Sequence, residues 1–171
     1  MTTCLVVMGV SGAGKTTVAT ALADRLGWPM AEADEFHPAA NIAKMSAGVP
    51  LTDADRVPWL LLLRDWIAKQ DKEGKNTIVT CSALKRSYRD LLSEAPGRVR
   101  FVHLNGSREV IASRLKTRSG HFMPPGLLDS QLASLEPLDP DEDGITVDIA
   151  AAAAQVIDTI ADELGLAGSA G

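Results

Sequence analysis

Residues 9–17 read Gly9-Val10-Ser11-Gly12-Ala13-Gly14-Lys15-Thr16-Thr17 and fit the pattern GxxxxGK(S/T). An apolar run, residues 4–8, precedes this stretch, and a helix-prone run, residues 18–23, follows it. Glycines at this spacing let the backbone turn tightly around an anion, with its N–H groups pointing inward at the positive end of the next helix. The stretch therefore predicts a strand, a phosphate-binding loop and a helix, and with them a nucleoside triphosphate site.

Each side chain of the loop has an expected contact. Lys15 is expected to reach the β- and γ-phosphates, and the Thr16 hydroxyl is expected to ligate Mg²⁺. Thr17 suits a helix residue that touches the α-phosphate better than a second metal ligand. A chance glycine-rich turn is the alternative, which the flanking strand and helix disfavour. The other predicted nucleotide contacts in the loop are Gly9, Ser11, Gly12, Ala13 and Gly14.

The length and composition predict one globular domain. The chain has 171 residues, 46% of them hydrophobic, which is enough for one buried core and too few for two ordinary domains. We expect this domain at residues 1–164 and a flexible tail at 165–171. The longest apolar run is far shorter than a membrane span, and no basic secretory start is present, so we expect a cytoplasmic protein without membrane partners. Cys4 and Cys81 are expected to be reduced, buried thiols.

Charge is distributed unevenly along the chain. The net charge of −5 argues against a general nucleic-acid binder. All 17 Lys and Arg lie at or before Arg118, whereas ten of the 22 Asp and Glu follow it. We interpret the acidic end, including residues 139–143, as a solvated face with an acidic loop. The basic part suits a cleft that handles ATP and an anionic acceptor.

Strand-like and helix-like runs alternate along the chain. This order predicts right-handed crossovers and an α/β fold in which helices cover both faces of a parallel sheet of about five strands. In such a three-layer α/β/α phosphate-loop fold, ligands bind at the carboxyl ends of the strands. The expected strands are 3–9, 29–33, 77–81, 100–104 and 145–148, and the expected helices are 15–26, 55–71, 85–94, 108–116, 126–135 and 150–164.

Two stretches do not belong to this alternation. Residues 35–52 contain Pro38, Gly48 and Pro50 and predict an inserted helix and loop. Residues 117–126 predict an exposed loop between two helices. In an enzyme that transfers phosphoryl groups, these are the places for an acceptor-binding flap and a mobile lid.

The strand ends narrow the class of phosphate-loop protein. A GTPase carries a guanine-reading Asn/Thr-Lys-x-Asp after a strand, but residues 104–108 read Leu-Asn-Gly-Ser-Arg. A motor or transport ATPase places a metal-organising Asp after an apolar strand, but residues 80–83 read Thr-Cys-Ser-Ala. Acidic residues instead follow the second strand, as Glu32 and Asp34. This arrangement favours a small-molecule kinase.

Short runs distributed over residues 4–149 form a specific set. They are Gly-Val-Ser-Gly at 9–12, Asp-Glu-Phe-His-Pro at 34–38, Asn41, Lys-Met at 44–45, Pro-Leu-Thr-Asp at 50–53, Asp-Arg at 55–56, Pro-Trp-Leu at 58–60, Cys-Ser-Ala-Leu-Lys at 81–85, Tyr-Arg-Asp at 88–90 and Gly-His-Phe-Met at 120–123. The set resembles the gluconokinase family, a small group with shikimate-kinase-like architecture. The DxxHP, CSALK and GHF segments distinguish it from shikimate and adenylate kinases.

The resemblance implies an activity. It implies ATP-dependent phosphorylation of the 6-hydroxyl of D-gluconate to 6-phosphogluconate, and a homodimer. Glu32 departs from the many relatives that have Asp at this position, and we expect it to hold metal-bound water rather than Mg²⁺ directly. Two alternatives stay open: a kinase of another small hydroxy acid, such as shikimate or a different aldonate, and a non-catalytic, nucleotide-dependent regulatory protein. The intact Lys15, Thr16, Asp34 and Arg118 speak against the second.

The acceptor needs a base, a cation and hydrogen-bonding groups. Asp34 is expected to orient the acceptor hydroxyl and take its proton, and a helix-capping role is the alternative. The candidate cations for a carboxylate are Arg56, Lys85 and Arg89, the last two on one face of a helix, with surface solvation as the alternative. His37 suits loop packing as well as substrate contact, and Trp59 suits a core or pocket wall. The other predicted acceptor contacts are Asn41, Lys44, Ser82 and His121.

Two arginines flank the start of the predicted lid. Arg118 is the expected catalytic cation, because an arginine against the β- and γ-phosphates stabilises the charge of the moving phosphoryl group. Arg114 is the second expected nucleotide contact. The adenine is expected between Arg114 and the loop after residues 147–149.

Overall fold

The computed structural model describes residues 2–10, 12–117 and 125–166, with the backbone alone at 115–117 and 125–127. Ser11, Arg118 and His121, most of the predicted lid, and the tail beyond residue 166 lie outside the described residues. The elements in chain order are β1 (Thr3–Met8), α1 (Lys15–Leu26), β2 (Met30–Glu32), a 3-10 helix (Ala33–Phe36), α2 (Ala39–Ser46), α3 (Asp53–Lys72), β3 (Thr77–Thr80), α4 (Arg86–Leu92), β4 (Arg98–Asn105), α5 (Arg108–Thr117), α6 (Pro125–Ser134), β5 (Gly144–Asp148) and α7 (Ala153–Leu164).

In the described part of the chain, the sheet has five parallel strands in the order β2-β3-β1-β4-β5. β1 lies in the middle, paired with β3 along Cys4–Val7 and with β4 along Thr3–Met8. The chain leaves β1 toward one edge and later returns to build the other, so the crossover helices cover both faces. The predicted α/β fold with about five parallel strands is confirmed.

The core consists of two apolar layers, one on each face of the sheet. Alternate side chains of β1 enter different layers: Leu5 and Val7 pack in the layer that contains residues of α1 and α7, and Val6 and Met8 pack in the layer that contains residues of α3 and α4. A strand buried on both faces reads as a continuous apolar run, which is why residues 4–8 predicted it.

The two cysteines are free and buried, as predicted. Burial raises the pKa of the Cys4 thiol to about 12, and burial likewise raises the pKa of the Cys81 thiol to about 12. A thiol with so high a pKa is protonated at neutral pH and is a poor nucleophile.

Several element ends differ from the expected positions. α3 begins at Asp53 rather than at residue 55, because Thr52 and Asp55 form a capping box: the Thr52 hydroxyl accepts from the Asp55 N–H, and the Asp55 carboxylate accepts from the Thr52 N–H. α4 begins at Arg86 because Lys85 keeps an extended conformation, with φ −108° and ψ 146°. Within the described residues, no helix combines the length and the apolar character needed to cross a membrane.

The acidic end of the chain pairs with the basic part. The interpretation of residues 139–143 as a solvated acidic loop is wrong for Glu142, whose side chain is 5% exposed and pairs with Arg89. The charge asymmetry along the sequence is therefore largely cancelled in space. The other pairs of this kind join Arg86 to Asp139 and Asp141, Arg98 and Arg100 to Asp143, Arg25 to Asp158 and Arg108 to Asp129.

Candidate active site

The phosphate loop joins β1 to α1 at the carboxyl edge of the sheet. Gly14 precedes α1 in a left-handed conformation, with φ 91°, which disfavours any other residue there. A side chain at Gly9 would lie 2.9 Å from the Leu104 carbonyl oxygen, so this position has no room for one. The Lys15 ammonium donates to the carbonyl oxygens of Gly9 and Val10, at 3.0 and 3.2 Å. The lysine therefore folds over the loop.

The two predicted magnesium residues lie together. The Thr16 hydroxyl, in the first turn of α1, donates to the carboxylate of Glu32, the last residue of β2, at 2.6 Å. These are hard oxygen donors of the kind that Mg²⁺ prefers. Within the described part of the chain, no group of three or more His, Cys, Asp and Glu could hold a metal ion. The pair fits a Mg²⁺ bound through few protein oxygens together with water and phosphate.

A cavity of about 250 Å³ lies beside the loop, where the adenine is predicted. Arg114 crosses one side of it, with its guanidinium donating to the Ile149 carbonyl oxygen. The other walls are mostly apolar, which suits a base held by packing. The lining residues are Gly12, Ala13, Gly14, Thr17, Val18, Arg114, Ile149, Ala151, Ala153 and Val156.

Asp34 lies at the same edge of the sheet, in the 3-10 helix after β2. It caps neither that helix nor α2, whose cap positions are Glu32 and Pro38, so the helix-capping alternative is wrong. Burial raises the pKa of the Cys81 thiol, while the Lys15 charge lowers it and the Asp34 charge raises it. The charges of Lys15 and Asp34 therefore both influence the thiol of Cys81, which directly follows β3.

The flap is tied to α3 by four of the predicted acceptor residues. The His37 and Trp59 rings stack with centroids 4.2 Å apart. Trp59 Nε1 donates to the Ala33 carbonyl oxygen at 2.6 Å. Asn41 is buried and donates to the Asp55 carbonyl oxygen, and Lys44 pairs with the Asp55 carboxylate at 2.8 Å.

Two of the three candidate cations lie around Tyr88. Lys85 Nζ contacts the two Asp53 carboxylate oxygens at 3.0 and 3.2 Å, and the Tyr88 hydroxyl donates to the same carboxylate. Arg56 Nη1 donates to the Tyr88 oxygen at 3.3 Å and to the Leu51 carbonyl oxygen at 2.9 Å. The hydrogen bonds from Tyr88 and Lys85 lower the pKa of Asp53.

His37 connects this group to Asp34. Burial lowers the pKa of His37, the Asp34 charge raises it, and the Arg56 charge lowers it. The imidazole is therefore within electrostatic reach of both side chains.

Sequence comparisons assign the chain to families. Residues 5–138 match the profile of a family described as AAA domain. A gluconokinase from Gluconobacter oxydans (strain 621H) is 58% identical over 143 residues, which cover 84% of this chain and 80% of that protein. The chain belongs to this AAA domain family and to the gluconokinases.

Solved structures of similar chains agree with the gluconokinase assignment. An unliganded sugar kinase from Janibacter sp. HTCC2649 superimposes with a TM-score of 0.92 at 52% identity, covering 99% of this chain and 98% of that chain. A gluconokinase from Sinorhizobium meliloti 1021 superimposes with a TM-score of 0.86 at 46% identity, covering 95% and 91%. The resemblance predicted from the short motifs is confirmed.

The third candidate cation of this gluconokinase-family chain lies elsewhere. The Arg89 side chain is 1% exposed, and its Nε and Nη2 donate to the Glu142 carboxylate at 2.7 and 3.0 Å. A side chain without free surface cannot contact a substrate in this conformation. The expectation that Lys85 and Arg89 face the acceptor together is wrong, because Lys85 precedes α4 in an extended conformation and Arg89 points into the core.

Arg56 and Lys85, with the Tyr88 and Asp53 side chains that contact them, form what we call the cation group. Its last two members were missed as site candidates. Asp53 and Tyr88 occur in the short runs quoted for the family resemblance, but neither was assigned a contact. Their spacing could have indicated them, because Tyr88 is three positions after the candidate cation Lys85, and Asp53 is three positions before the candidate cation Arg56.

Ser82, another predicted acceptor contact, is half-buried after the end of β3, and its carbonyl oxygen accepts from the Gly9 N–H at 3.3 Å.

Proposed function

We propose that this chain transfers the γ-phosphoryl group of ATP to the 6-hydroxyl of D-gluconate, forming 6-phospho-D-gluconate and ADP. The observation that carries the proposal is the stacking of His37, three residues after Asp34, on Trp59, three residues after Arg56, with ring centroids 4.2 Å apart. It connects the phosphate-loop end of the site to a group of cations suited to a carboxylate. The identity to proteins named gluconokinase supports the choice of acceptor.

The proposed acceptor pocket uses the cation group for the gluconate carboxylate. Lys85 and Arg56 are suited to it, because an anion between them replaces the Asp53 carboxylate that Lys85 now contacts. Ser82 and Tyr88 offer hydroxyls to the polyol chain. His37, Asn41, Trp59, Lys44 and, outside the described residues, His121 stay predicted contacts or supports of this pocket.

The proposed chemical step is a direct displacement. Asp34 accepts the proton of the 6-hydroxyl while the oxygen of that hydroxyl bonds to the γ-phosphorus. The bond from the γ-phosphorus to the β,γ-bridging oxygen breaks at the same time and releases ADP. Lys15 stabilises the β- and γ-phosphate oxygens, and Arg118 is the proposed second cation. Thr16 and, through water, Glu32 would hold Mg²⁺, which would supply further positive charge to these oxygens.

The remaining parts of the proposal concern the molecule as a whole. We propose that Mg²⁺ and ATP are required, as the Thr16–Glu32 pair and the loop support. We propose a homodimer in the cytoplasm, by resemblance to the family. Sedimentation velocity tests the dimer, since a protein that sediments as a monomer at micromolar concentration would exclude a stable one.

A coupled ADP-release assay over a panel of acceptors tests the activity. The panel contains D-gluconate, a shorter and a longer aldonate, shikimate and the neutral polyol sorbitol. D-gluconate should give the highest kcat/KM, and sorbitol should be at least about 100-fold poorer because it lacks the carboxylate. A different acid as best substrate would favour the other hydroxy-acid kinase. No ADP release with any acceptor would favour the regulatory alternative.

A further inference from the structure

We propose that Arg89 is a positioning residue: its buried guanidinium holds the turn at residues 81–85 in the conformation that presents Ser82 and Lys85 to the acceptor. This role rests on the proposed function, whose acceptor pocket includes both residues. Arg89 itself touches no substrate, because its side chain is 1% exposed. Its effect passes through the backbone of Ala83.

The contact is a buried hydrogen bond to a strained residue. Arg89 Nη1 donates to the Ala83 carbonyl oxygen at 2.9 Å. Ala83 has φ 44°, and within the described ranges it is the only residue other than glycine with a positive φ. A left-handed alanine persists only where its surroundings determine it strongly. The bond from Arg89 is one such determinant.

The two neighbours of this alanine lead to different parts of the site. The Ser82 carbonyl oxygen accepts from the N–H of Gly9 in the phosphate loop, at 3.3 Å. Lys85 keeps an extended backbone before α4 and directs its ammonium to Asp53, at 3.0 Å. A change in the Ala83 backbone would therefore redirect Lys85 and loosen Ser82 beside the phosphate loop.

Arg89 is itself held by the segment between α6 and β5. The Glu142 carboxylate accepts from Nε and Nη2 of Arg89, and the Pro137 carbonyl oxygen accepts from Nη2 at 3.3 Å. The same segment binds the turn directly, since the Glu136 N–H donates to the Leu84 carbonyl oxygen at 2.7 Å. A buried guanidinium needs every donor satisfied, so the bond to Ala83 is retained as long as the charge stays buried.

Two variants separate positioning from simple stability. Glu142→Gln removes the charge partner but leaves the Arg89 bond to Ala83, whereas Arg89→Met/Glu142→Gln removes both. Both should lower the Tm, because each disrupts the buried pair. We expect the KM for gluconate to stay within about twofold in Glu142→Gln and to rise about tenfold or more in the double variant, with the KM for ATP changing less than about threefold.

Arg86→Met is the matched control. Arg86 lies on the same helix and pairs with Asp139 and Asp141 of the same segment, but it is partly exposed and does not bond to Ala83. Its loss should leave the KM for gluconate unchanged. A tenfold rise of the KM for gluconate in Arg86→Met would overturn the proposal, because loosening the segment between α6 and β5 would then be sufficient to weaken gluconate binding without loss of the Arg89 bond to Ala83.

Hydrogen exchange of the amides of residues 82–86 provides a readout independent of activity. Exchange should be faster in the double variant than in Glu142→Gln. Equal exchange and an equal KM for gluconate in these two variants would overturn the role of Arg89. If the unsubstituted protein releases no ADP with gluconate, the proposed function fails, and the exchange rates still decide whether Arg89 holds the turn.

Discussion

The Thr16 hydroxyl donates a 2.6 Å hydrogen bond to the Glu32 carboxylate across a sequence separation of 16. Because the hydroxyl proton is directed at Glu32, the lone pairs of the Thr16 oxygen are free to face a cation at the phosphate loop. This one hydrogen bond orients Thr16, the predicted Mg²⁺ ligand, and places Glu32, predicted to hold metal-bound water, beside it. A neutral side chain at residue 32 would lose the negative charge that the proposed Mg²⁺ site requires.

Glu32→Gln should raise the Mg²⁺ concentration for half-maximal activity by about tenfold, because it removes a negative charge beside the metal. The measurement is a magnesium titration of ADP release at saturating ATP and gluconate. Glu32→Asp is the control, since it keeps the carboxylate, and should stay nearer to the unsubstituted protein. The same half-maximal concentration in all three proteins would remove Glu32 from the metal site.

Lys15→Ala and Asp34→Asn should both abolish most turnover, but through different steps. Lys15 is assigned to the phosphates, so its loss should weaken ATP binding measured by calorimetry. Asp34 is assigned to the acceptor hydroxyl, so Asp34→Asn should bind ATP normally and turn over slowly. Near-normal turnover by Asp34→Asn would exclude it as the base.

Arg56→Ala should raise the KM for gluconate by about 10-fold to 100-fold, or about 1.4 to 2.8 kcal/mol, if Arg56 binds the carboxylate. The KM for ATP should change little. Arg64→Ala is the matched control, because Arg64 is on the same helix but pairs with Glu94 on the surface. Similar KM values for Arg56→Ala and Arg64→Ala would show that Arg56 does not bind gluconate.

Asp53→Asn should lower the KM for gluconate, by about twofold to fivefold, because the substrate carboxylate would no longer compete with Asp53 for Lys85. Lys85→Met in the same background should abolish the gain. Steady-state kinetics of the single and double variants measure this coupling. An increased KM in Asp53→Asn would instead make Asp53 a support of the pocket.

His103 should make the protein less stable in mild acid. Its ring is buried in β4, and neither ring nitrogen has a hydrogen-bond partner among the residues that the structure describes. Burial lowers the pKa of His103 from its usual 6.5, and the Arg89 charge lowers it further. The unfolded chain therefore takes up a proton before the folded one does. Stability is fully present above pH 6.5 and is lost as the pH falls from there toward the lowered pKa.

Urea unfolding at pH 7.5, 6.5 and 5.5 measures this loss, which is at most about 1.4 kcal/mol per pH unit for one proton. His103→Leu should flatten the dependence. His37→Gln measures the separate contribution of His37, a partly exposed histidine whose pKa burial also lowers. Carboxylates with lowered pKa values, such as Asp55 at about 2, contribute only at more acidic pH. An unchanged slope in His103→Leu would contradict the assignment.

Much of the fold and part of the site could be predicted because their signals are local. The phosphate loop, its strand and α1 are contiguous in sequence, and the free thiols follow from the apolar runs around Cys4 and Cys81. Thr16 and Glu32 were both expected at the magnesium site, but the hydrogen bond between them was not predicted. The direction in which Arg89 points was predicted wrongly, since helix periodicity places a residue on a face but does not say what covers that face.

The sequence by itself determined the class of the fold, the nucleotide loop and the family, because each is written in short runs whose residues act on the backbone or ligand nearest to them. The tertiary structure alone decided which charges are buried. Arg89 and Glu142 are 53 positions apart, and their burial together removes the arginine from the proposed acceptor pocket. Lys85 and Arg56 are half-buried beside Tyr88, where Lys85 pairs with Asp53. Burial depends on packing between distant segments, which no local pattern contains.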